Sequence, residues 1–412
     1  MSIQAVILCG GLGTRLGSLT ASTPKPMLTV NGKPFLDTLI QEVARHGITE
    51  ILLLAGRFGE QVKEAYDGVD MFGARLRVLI EPSPLGTGGA LRFALEELSE
   101  TFLLLNGDTW VDADLTDFMF AWERDRQSSD SSSVQILLQY VDDMARFGGI
   151  ECEGPTVVAF REKDALARNR PGYINAGVYC MSREIVEAVP ADSVASLEND
   201  VLMPLVAAGR VTAHMAPKGS YFIDIGVPES YSRAQSELWE ARRRPALFLD
   251  RDGTLNHDKG YTHKVSDLVW IEGAREAIKF ANEAGYYVFV VTNQAGVARG
   301  LYSENAVVDF HRAMQSSLFE IGAHIDAFEW CPHHPEAIVD YYRQDSQRRK
   351  PAPGMLLDLM ATYPVEKDGS LMVGNAASDI AAAEAAGIRG VYYSGGSLLT
   401  LVAQEIDRLR SN

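Results

Sequence analysis

The chain has 412 residues, beyond the length at which one hydrophobic core usually stops growing, so two domains are expected. Hydrophobic residues make up 46% and charged residues 23%, as in soluble globular proteins, and no apolar run is long enough to cross a bilayer. The net charge of −17 disfavours nucleic acid as a partner, although a local cationic pocket or a metal ion could still bind small phosphorylated substrates.

The four cysteines are scattered along the chain and lack the spacing of a disulfide framework, which indicates a reducing compartment. The first residues run directly into an apolar strand-like segment without the features of a signal peptide. We therefore expect a cytoplasmic protein that is not bound to a membrane. The cysteines are Cys9, Cys152, Cys180 and Cys331.

The first half of the chain alternates short apolar runs with longer helical stretches, which is the pattern of parallel α/β sheets. Several runs are apolar throughout, as expected for strands that are covered on both faces. The predicted strands are 5–8, 51–55, 76–80, 102–105, 134–141, 156–160 and 173–181.

The pattern changes around residues 236–244, where a charged stretch precedes Pro245. The arginines at 242–244 could form a nucleic-acid patch, but the run is short and the chain is acidic, so we predict a solvated linker. A second alternating series follows, and we predict α/β domains at 1–240 and 245–412. Its predicted strands are 246–249, 287–291, 328–330, 371–373 and 390–393.

A glycine-rich loop at residues 10–17 follows the first predicted strand. Glycines allow close approach to a phosphate and point amide N–H groups at it, although a plain strand-to-helix turn is an alternative. The third glycine falls one residue late for a dinucleotide loop, and no Gly-Lys-Ser/Thr follows as in a P-loop. Lys25 then lies between Pro24 and Pro26, which restrict the backbone and fix where the lysine points.

These segments resemble the signature of the sugar-phosphate nucleotidyltransferase family. The resemblance covers residues 3–236 and implies a Rossmann-like sheet. It also implies that a sugar 1-phosphate oxygen attacks the α-phosphorus of a nucleoside triphosphate and releases pyrophosphate. The further matching segments, in family order, are 85–90, 106–108, 147–148, 162–163, 175–177 and 224–228.

This family resemblance also implies roles for individual charged residues. Asp108 and Asp224 would hold Mg²⁺, with helix or turn capping as the alternative. Arg15 and Lys25 would be catalytic, balancing the triphosphate charge. The expected nucleotide-binding residues are Leu8, Gly10, Gly11, Gly13, Thr14, Arg15, Lys25, Glu81, Gly86, Thr87 and Asp108.

The sugar phosphate and the base would be bound by separate groups. By resemblance, Lys163 would hold the acceptor phosphate and Glu162 would accept hydrogen bonds from sugar hydroxyls. Glu81 precedes the loop at 85–90, where a carboxylate could accept two hydrogen bonds from guanine, so GTP is favoured; a surface glutamate is the alternative. The expected sugar-phosphate-binding residues are Gly148, Glu162, Lys163, Asn175 and Asp224.

In the second half, Asp250 and Asp252 follow an apolar strand and precede Gly-Thr, which resembles the haloacid dehalogenase-like phosphatases. The resemblance implies a Rossmannoid domain in which Asp250 attacks phosphorus and Asp252 acts as acid and base. Thr292 and Lys350 would orient and neutralise the phosphoryl group. The expected Mg²⁺ ligands are Asp250, the backbone carbonyl of Asp252, Asn375 and Asp379.

The segments 250–256, 260–263, 292–300 and 331–335 narrow the resemblance to the D,D-heptose 1,7-bisphosphate phosphatase subgroup, whose close relatives are histidinol phosphatases. There is little room for a large cap domain, which suits a small, extended phosphorylated substrate. The expected substrate-binding residues are Asn293, Arg299, Arg349 and Lys350.

Two departures from that subgroup concern metals. Cys331 and His333 match a zinc-binding pair, but the later Cys-x-Cys is replaced at 346–348 by Ser-Gln-Arg, so we predict no zinc. The loop that usually begins Gly-Asp begins Gly374-Asn375 here, and an uncharged amide should weaken Mg²⁺ binding unless Asp379 compensates.

Together the resemblances imply a bifunctional enzyme with Mg²⁺ in both domains. A heptose 1,7-bisphosphate would lose its 7-phosphate, and the heptose 1-phosphate would react with GTP, or another nucleoside triphosphate, giving GDP-D-glycero-D-manno-heptose. One alternative is a hexose 1-phosphate nucleotidyltransferase fused to a phosphatase of other specificity, such as for histidinol phosphate. Another is a regulatory protein with degenerate sites. Homo-oligomers are compatible with the sequence, through either domain.

Overall fold

The computed structural model describes residues 3–11, 13–128, 133–144, 147–161, 170–191 and 193–411. The chain divides into two compact units. The first comprises Met1–Ala44 and Ile48–Ala241, and the second comprises Arg45–Gly47 and Arg242–Asn412. Among the described residues, no helix is both long enough and apolar enough to span a membrane.

The first unit is built around a ten-stranded mixed sheet with two small two-stranded sheets beside it. Its strands are β1 Gln4–Leu8, β2 Thr29–Val30, β3 Lys33–Pro34, β4 Glu50–Ala55, β5 Asp70–Met71, β6 Ala74–Ile80, β7 Thr101–Asn106, β8 Thr109–Val111, β9 Val134–Val141, β10 Ile150–Glu153, β11 Thr156–Phe160, β12 Gly172–Ser182, β13 Val211–Met215 and β14 Phe222–Asp224. Its α-helices are α1 Phe35–Arg45, α2 Gly59–Tyr66, α3 Gly86–Phe93, α4 Leu115–Ser128, α5 Arg183–Glu187, α6 Met203–Ala207 and α7 Pro228–Ala241.

The large sheet has the order β10-β11-β13-β9-β12-β7-β1-β4-β6-β5. Its centre is parallel, because β1 pairs in parallel with both β4 and β7. Successive residues of β1 face opposite sides of the sheet, and Ala5, Val6 and Ile7 are all fully buried, so both faces are covered. The chain leaves β1 and β7 at the same edge, where their loops form the first site.

The second unit has a five-stranded, fully parallel sheet of order β17-β16-β15-β18-β19. Leu247 and Leu249 of its central strand belong to one hydrophobic core, and Ala246 and Phe248 to another on the opposite face. The elements are β15 Arg244–Leu249, β16 Tyr287–Asn293, β17 Ala327–Cys331, β18 Val365–Gly374, β19 Arg389–Tyr392, α8 Ala274–Glu283, α9 Ala295–Ala298, α10 Glu304–Phe319, α11 Gly354–Thr362, α12 Ala377–Ala386 and α13 Leu398–Arg410.

The predicted α/β fold class is confirmed, and every strand predicted from an apolar run falls on an observed strand. Two expectations were wrong. The large sheet is not parallel throughout, because β12 runs antiparallel to both β7 and β9. The arginine run is not fully solvated either: Arg243 is exposed, but Arg242 is 5% exposed, and the Arg244 guanidinium lies 5.0 Å from the centre of the Tyr287 ring.

Candidate functional sites

A cavity of about 380 Å³ opens at the carboxyl ends of β1, β4 and β7 in the first unit. It has the position at which open α/β sheets bind ligands. Eight of the predicted nucleotide-binding residues line it: Leu8, Gly10, Gly11, Lys25, Glu81, Gly86, Thr87 and Asp108. Lining residues to which the sequence assigned no role are Pro26, Leu54, Ala55, Leu79, Pro84, Ala90, Phe93, Asn106 and Gly107.

Asp108 and Asp224 come together because β8 and β14 pair antiparallel, with Asp224 opposite Thr109. The buried Lys25 ammonium contacts Asp108 Oδ2 directly and lies 3.6 Å from Asp224 Oδ1. Asp224 Oδ1 also accepts a 2.6 Å hydrogen bond from the Gly226 N–H, so it caps a turn as well. Two carboxylates therefore converge on one cation at the mouth of the cavity.

Glu81 is packed tightly between two glycines at the end of the cavity. A Cβ added at Gly56 would lie 2.4 Å from Glu81 Oε1, and one at Gly10 would lie 3.0 Å from it. Leu85 N–H donates a 3.2 Å hydrogen bond to the other oxygen, Oε2. Burial raises the pKa of Glu81, and this hydrogen bond opposes the rise. These contacts hold the Glu81 carboxylate in place, and Glu81 is one of the residues that line the cavity.

Gly86 lines the cavity, whereas the predicted nucleotide-binding residues Gly13, Thr14 and Arg15 are not among its lining residues. Gly86 has a φ of +73° and begins α3, where an added Cβ would lie 2.5 Å from the Ala195 carbonyl oxygen. Gly13 also has positive φ, and its carbonyl accepts the Thr20 hydroxyl hydrogen bond. Thr14 and Arg15 are exposed on the short 3₁₀ helix Thr14–Thr20 rather than in the cavity wall.

Part of the predicted sugar site is formed by a turn in β12. Asn175 Oδ1 accepts a 2.9 Å hydrogen bond from Gly177 N–H, and its amide donates to the Tyr179 hydroxyl at 2.7 Å. Gly177 has a φ of +74° and packs against Asn106 at the end of β7, which joins this turn to the cavity. Gly148 also has positive φ. Glu162 and Lys163 lie outside the described residues.

In the second unit, Asp250 follows the central strand β15 and meets Lys350 and Asp379 at the carboxyl edge of the sheet. Lys350 Nζ donates to Asp250 Oδ1 at 2.6 Å and to the Val291 carbonyl at 2.7 Å, and it lies 2.7 Å from Asp379 Oδ1. Burial raises the pKa of Asp250, and Lys350 opposes the rise. Burial would lower the pKa of Lys350, but the two carboxylates outweigh it and raise that pKa, which favours the ammonium form.

Asp252 is held by four hydrogen-bond donors. Arg251 donates to Oδ1 at 3.1 Å and to Oδ2 at 2.7 Å, while its own guanidinium is fully buried. The Asn256 amide donates to Oδ1 at 3.1 Å, and the Gln294 amide donates to Oδ2 at 2.9 Å. Each carboxylate oxygen thus accepts two hydrogen bonds, which gives the side chain a defined orientation.

Thr292 and Asn293 are the last residues of β16 and lie close to the lysine segment. Asn293 exchanges two 3.0 Å hydrogen bonds with the backbone of Lys350, and buried Thr292 accepts one from Gln294 at 2.9 Å. Asn375 approaches the Asp250–Asp252 loop, because a Cβ added at Gly253 would lie 2.2 Å from its amide nitrogen. Both Asp379 oxygens are engaged, one by Lys350 and one by Ala376 N–H at 3.0 Å.

The two predicted substrate-binding arginines lie near each other, and Arg349 directly precedes Lys350 in the chain. The exposed Arg299 guanidinium lies 5.5 Å from the centre of the Tyr261 ring. Arg349 is half-buried and donates to the His333 carbonyl at 3.3 Å. Burial lowers the pKa of Arg349, and nearby Arg299 lowers it further, so the two guanidinium groups share one electrostatic environment.

Sequence reasoning assigned no role to four residues of the second site: Arg251, Asn256, Gln294 and Tyr302. The first three contact Asp252, and the Tyr302 hydroxyl donates to Gln294 Oε1 at 2.7 Å. Gln294 directly follows Thr292-Asn293 and was part of a matched segment, so a usable signal was present. Tyr302 carried no comparable signal in the sequence.

Comparisons with known proteins match two families to this chain. The nucleotidyl transferase family matches residues 4–241, and the HAD-hydrolase-like family matches residues 347–405. A D-glycero-beta-D-manno-heptose-1,7-bisphosphate 7-phosphatase of Rhodopseudomonas palustris is 48% identical over 164 residues, covering 40% of this chain and 91% of that relative. A D-glycero-alpha-D-manno-heptose 1-phosphate guanylyltransferase of Campylobacter jejuni is 34% identical over 230 residues, covering 56% of this chain and 97% of that relative.

A solved structure supports the fold of the first unit. The crystal structure of a glucose-1-phosphate thymidylyltransferase from Bacillus anthracis matches with a TM-score of 0.50 at 21% identity. It covers 57% of this chain and 94% of the solved chain. At this level of identity the likeness concerns the fold alone.

Proposed function

Because this chain belongs to the nucleotidyl transferase family and joins to it a haloacid dehalogenase-like phosphatase, we propose that it catalyses two successive steps toward a nucleotide-activated heptose. The second unit removes the 7-phosphate of D-glycero-D-manno-heptose 1,7-bisphosphate, and the first couples the resulting heptose 1-phosphate to GMP from GTP. The observation that carries this proposal is that relatives named for these two reactions match different parts of one chain. We assign the steps to residues 245–412 and 1–240.

We propose the following phosphatase chemistry for Asp250 and Asp252. The Asp250 carboxylate attacks phosphorus, the bond to the 7-oxygen breaks, and Asp252 gives that oxygen a proton. Water then attacks the aspartyl phosphate, Asp252 accepts its proton, and phosphate leaves. Lys350 and Thr292 would hold the transferring phosphoryl group, a role supported by the hydrogen bond from Lys350 to Asp250. Arg299 would attract the distal phosphate.

The nucleotidyltransferase chemistry requires positioning more than proton transfer. A phosphate oxygen of heptose 1-phosphate attacks the α-phosphorus of GTP. The bond between the α-phosphorus and the oxygen that bridges to the β-phosphate breaks, and pyrophosphate is released. Gly10 and Gly11 allow the triphosphate close to the backbone, and Lys25 supplies positive charge from the cavity wall. Exposed Arg15 would reach the triphosphate from the rim. Glu81 would accept hydrogen bonds from guanine.

Enzymes of both families generally use Mg²⁺, and the donor sets of this chain fit that ion. In the first unit, Asp108 and Asp224 offer two converging carboxylates, the hard oxygen ligands that Mg²⁺ prefers. In the second, Asp250, the Asp252 carbonyl and Asn375 would hold it, together with Asp379 directly or through water. The ion would neutralise negative charge that accumulates on the transferring phosphorus group.

One reaction tests the whole proposal. The full chain receives heptose 1,7-bisphosphate, GTP and Mg²⁺, and phosphate, pyrophosphate and nucleotide-heptose are quantified over time. We expect phosphate to appear first and pyrophosphate with GDP-heptose to follow in equal amounts. Hexose 1-phosphates, histidinol phosphate and the other nucleoside triphosphates serve as comparison substrates. Faster turnover of any of them, or binding without turnover, would refute the assignment.

Replacing Glu81 by glutamine should weaken the preference for GTP. The new amide would present N–H donors to the N–H groups of guanine, losing a hydrogen bond to a charged group worth about 1.5–3 kcal/mol. We expect kcat/KM for GTP to fall roughly 10- to 100-fold relative to the other nucleoside triphosphates. The control is Glu96→Gln, at a largely exposed carboxylate. An unchanged ranking of nucleotides would show that Glu81 does not read the base.

Replacing Asn375 by aspartate should strengthen Mg²⁺ binding in the phosphatase. A carboxylate adds negative charge beside the Asp250–Asp252 loop, and charge on the ligands raises affinity for this ion. We expect the Mg²⁺ concentration that gives half-maximal phosphate release to fall roughly 10-fold. Asn305→Asp, on the exposed surface of α10, is the matched control. Equal Mg²⁺ requirements for parent and variant would count against Asn375 as a ligand.

We expect the purified chain to hold no stoichiometric zinc. The Cys331 Sγ and His333 Nδ1 atoms lie 3.9 Å apart, but two ligands cannot complete a tetrahedral structural site. Arg348, in the segment that replaces the second ligand pair, instead contacts Glu329 and lies 3.4 Å from Asp358. Elemental analysis checks the expectation, and one tightly held zinc ion per chain would contradict it.

A further inference from the structure

The Tyr302 ring lies in space that is open because Gly296 has no side chain. A Cβ added at Gly296 would lie 2.1 Å from Cε1 of the Tyr302 ring and 2.6 Å from its hydroxyl oxygen, so any larger residue at 296 would displace the ring. On its other side the ring stacks on His263, with 4.4 Å between the ring centres. The ring is therefore fixed from two sides, and its hydroxyl points at Gln294.

The Tyr302 hydroxyl determines which way the Gln294 amide faces. The amide has a donor end and an acceptor end, and its donor end meets Asp252 Oδ2 and Thr292 Oγ1, both at 2.9 Å. The acceptor end, Oε1, receives the Tyr302 hydroxyl hydrogen bond at 2.7 Å. Burial raises the pKa of Tyr302 to about 12, so the hydroxyl retains the proton that it donates. Reversing the amide would place its oxygen next to Asp252 Oδ2, and the two oxygens would repel each other.

Gln294 differs from the other groups that hold Asp252. Arg251 and Asn256 belong to the same loop as Asp252, so they would move with it. Gln294 follows β16, the strand that also carries Thr292, and is 1% exposed. The Gln294 hydrogen bond therefore links the Asp252 carboxylate to β16, whose Thr292 would contact the phosphoryl group.

We propose that Tyr302 is a positioning residue of the phosphatase: acting through Gln294, it sets the Asp252 carboxyl group for proton delivery to the leaving sugar oxygen. This inference rests on the phosphatase activity proposed above. In that step the oxygen of Asp250 bonds to phosphorus, the bond from phosphorus to the sugar oxygen breaks, and the Asp252 proton passes to that oxygen. A nitrophenolate leaving group is stable as an anion and needs no such proton.

The test compares the first turnover of two substrates. Tyr302→Phe removes only the hydroxyl, and rapid mixing follows release of heptose 1-phosphate from the bisphosphate and of nitrophenolate from p-nitrophenyl phosphate. In Tyr302→Phe we expect the rate of heptose 1-phosphate release to fall about 10- to 100-fold, which is part of the usual contribution of general-acid catalysis. The KM for the bisphosphate should change little. The nitrophenolate burst should keep its rate and amplitude, which also shows that the site is folded.

Two further variants make the inference specific. Gln294→Leu should cause a similar loss, and adding Tyr302→Phe to it should cost nothing more, because the tyrosine acts through the glutamine. Tyr392→Phe, at a 57% exposed tyrosine, should behave as the parent. Equal losses with both substrates, independent losses in the double variant, or no loss at all would overturn the role of Tyr302. A parent chain that hydrolyses the aryl phosphate but not the heptose bisphosphate would instead refute the proposed function.

Discussion

Asp250→Asn should stop phosphate release from heptose 1,7-bisphosphate almost completely, by roughly 10⁴-fold or more. The amide is nearly isosteric with the carboxylate, but it cannot form the aspartyl phosphate. The surrounding structure should persist, because Lys350 keeps a second anionic partner in Asp379 and the Val291 carbonyl as an acceptor. The same chain should still release pyrophosphate from GTP when heptose 1-phosphate is supplied directly.

Phosphate and pyrophosphate release are measured in parallel on the parent, the variant and a matched control. Asp309→Asn changes the same atoms at an exposed aspartate of α10 and should leave both rates unaltered. Trapping with labelled substrate should yield a phosphoenzyme from the parent and none from Asp250→Asn. Phosphate release at the parent rate from that variant would show that the nucleophile has been assigned wrongly.

Asp108→Asn should have the reciprocal effect. Loss of one of two converging carboxylates halves the negative charge available to a metal and leaves Lys25 with Asp224 alone. We expect pyrophosphate release to fall on the order of 10²–10³-fold, as when a group that stabilises transition-state charge is removed. Phosphate release should continue, so heptose 1-phosphate should accumulate in the coupled reaction.

The control for Asp108→Asn is Asp70→Asn, at an exposed aspartate that pairs with Arg75. Thermal unfolding of both variants should stay near that of the parent, since Asp108 is not the sole partner of Lys25. Rising Mg²⁺ should restore part of the lost rate if the carboxylate acts through the ion. Full pyrophosphate release by Asp108→Asn at low Mg²⁺ would contradict a role in the reaction.

The sequence predicted the longer strands because buried parallel strands read as continuous apolar runs. It could not predict that β12 runs antiparallel within the large sheet, since an apolar run has the same pattern in either direction. The strands β8 and β14 have three residues each and pair across more than a hundred positions, so no local signal reveals them. The burial of Arg242 was also missed, because a run of arginines in an acidic chain reads as solvated.

The candidate sites were predicted unevenly for a related reason. Residues at or just after the ends of parallel strands could be placed at the carboxyl edge of their own sheet, because parallel strands share their direction. These are Asp108 in the first unit and Asp250 and Thr292 in the second. Contacts made by loops could not be predicted in this way. That Lys350 reaches Asp250 across a hundred positions, and that Tyr302 orients an amide from another loop, depends on how the chain returns to the sheet. Resemblance supplied the first of these contacts and not the second.

The crowding of Glu81 by Gly10 and Gly56 bears on how base preference could evolve in this chain. A Cβ at Gly56 would also lie 2.9 Å from the Gly10 backbone, so the two glycines and the glutamate fit together as a set. A mutation at Gly56 would shift the carboxylate, whereas one at Gly10 would shift it and also change the backbone that is proposed to approach the triphosphate. Accessible evolutionary paths toward another base should therefore depend on the order of mutations, and the effects of changes at these three positions should be epistatic.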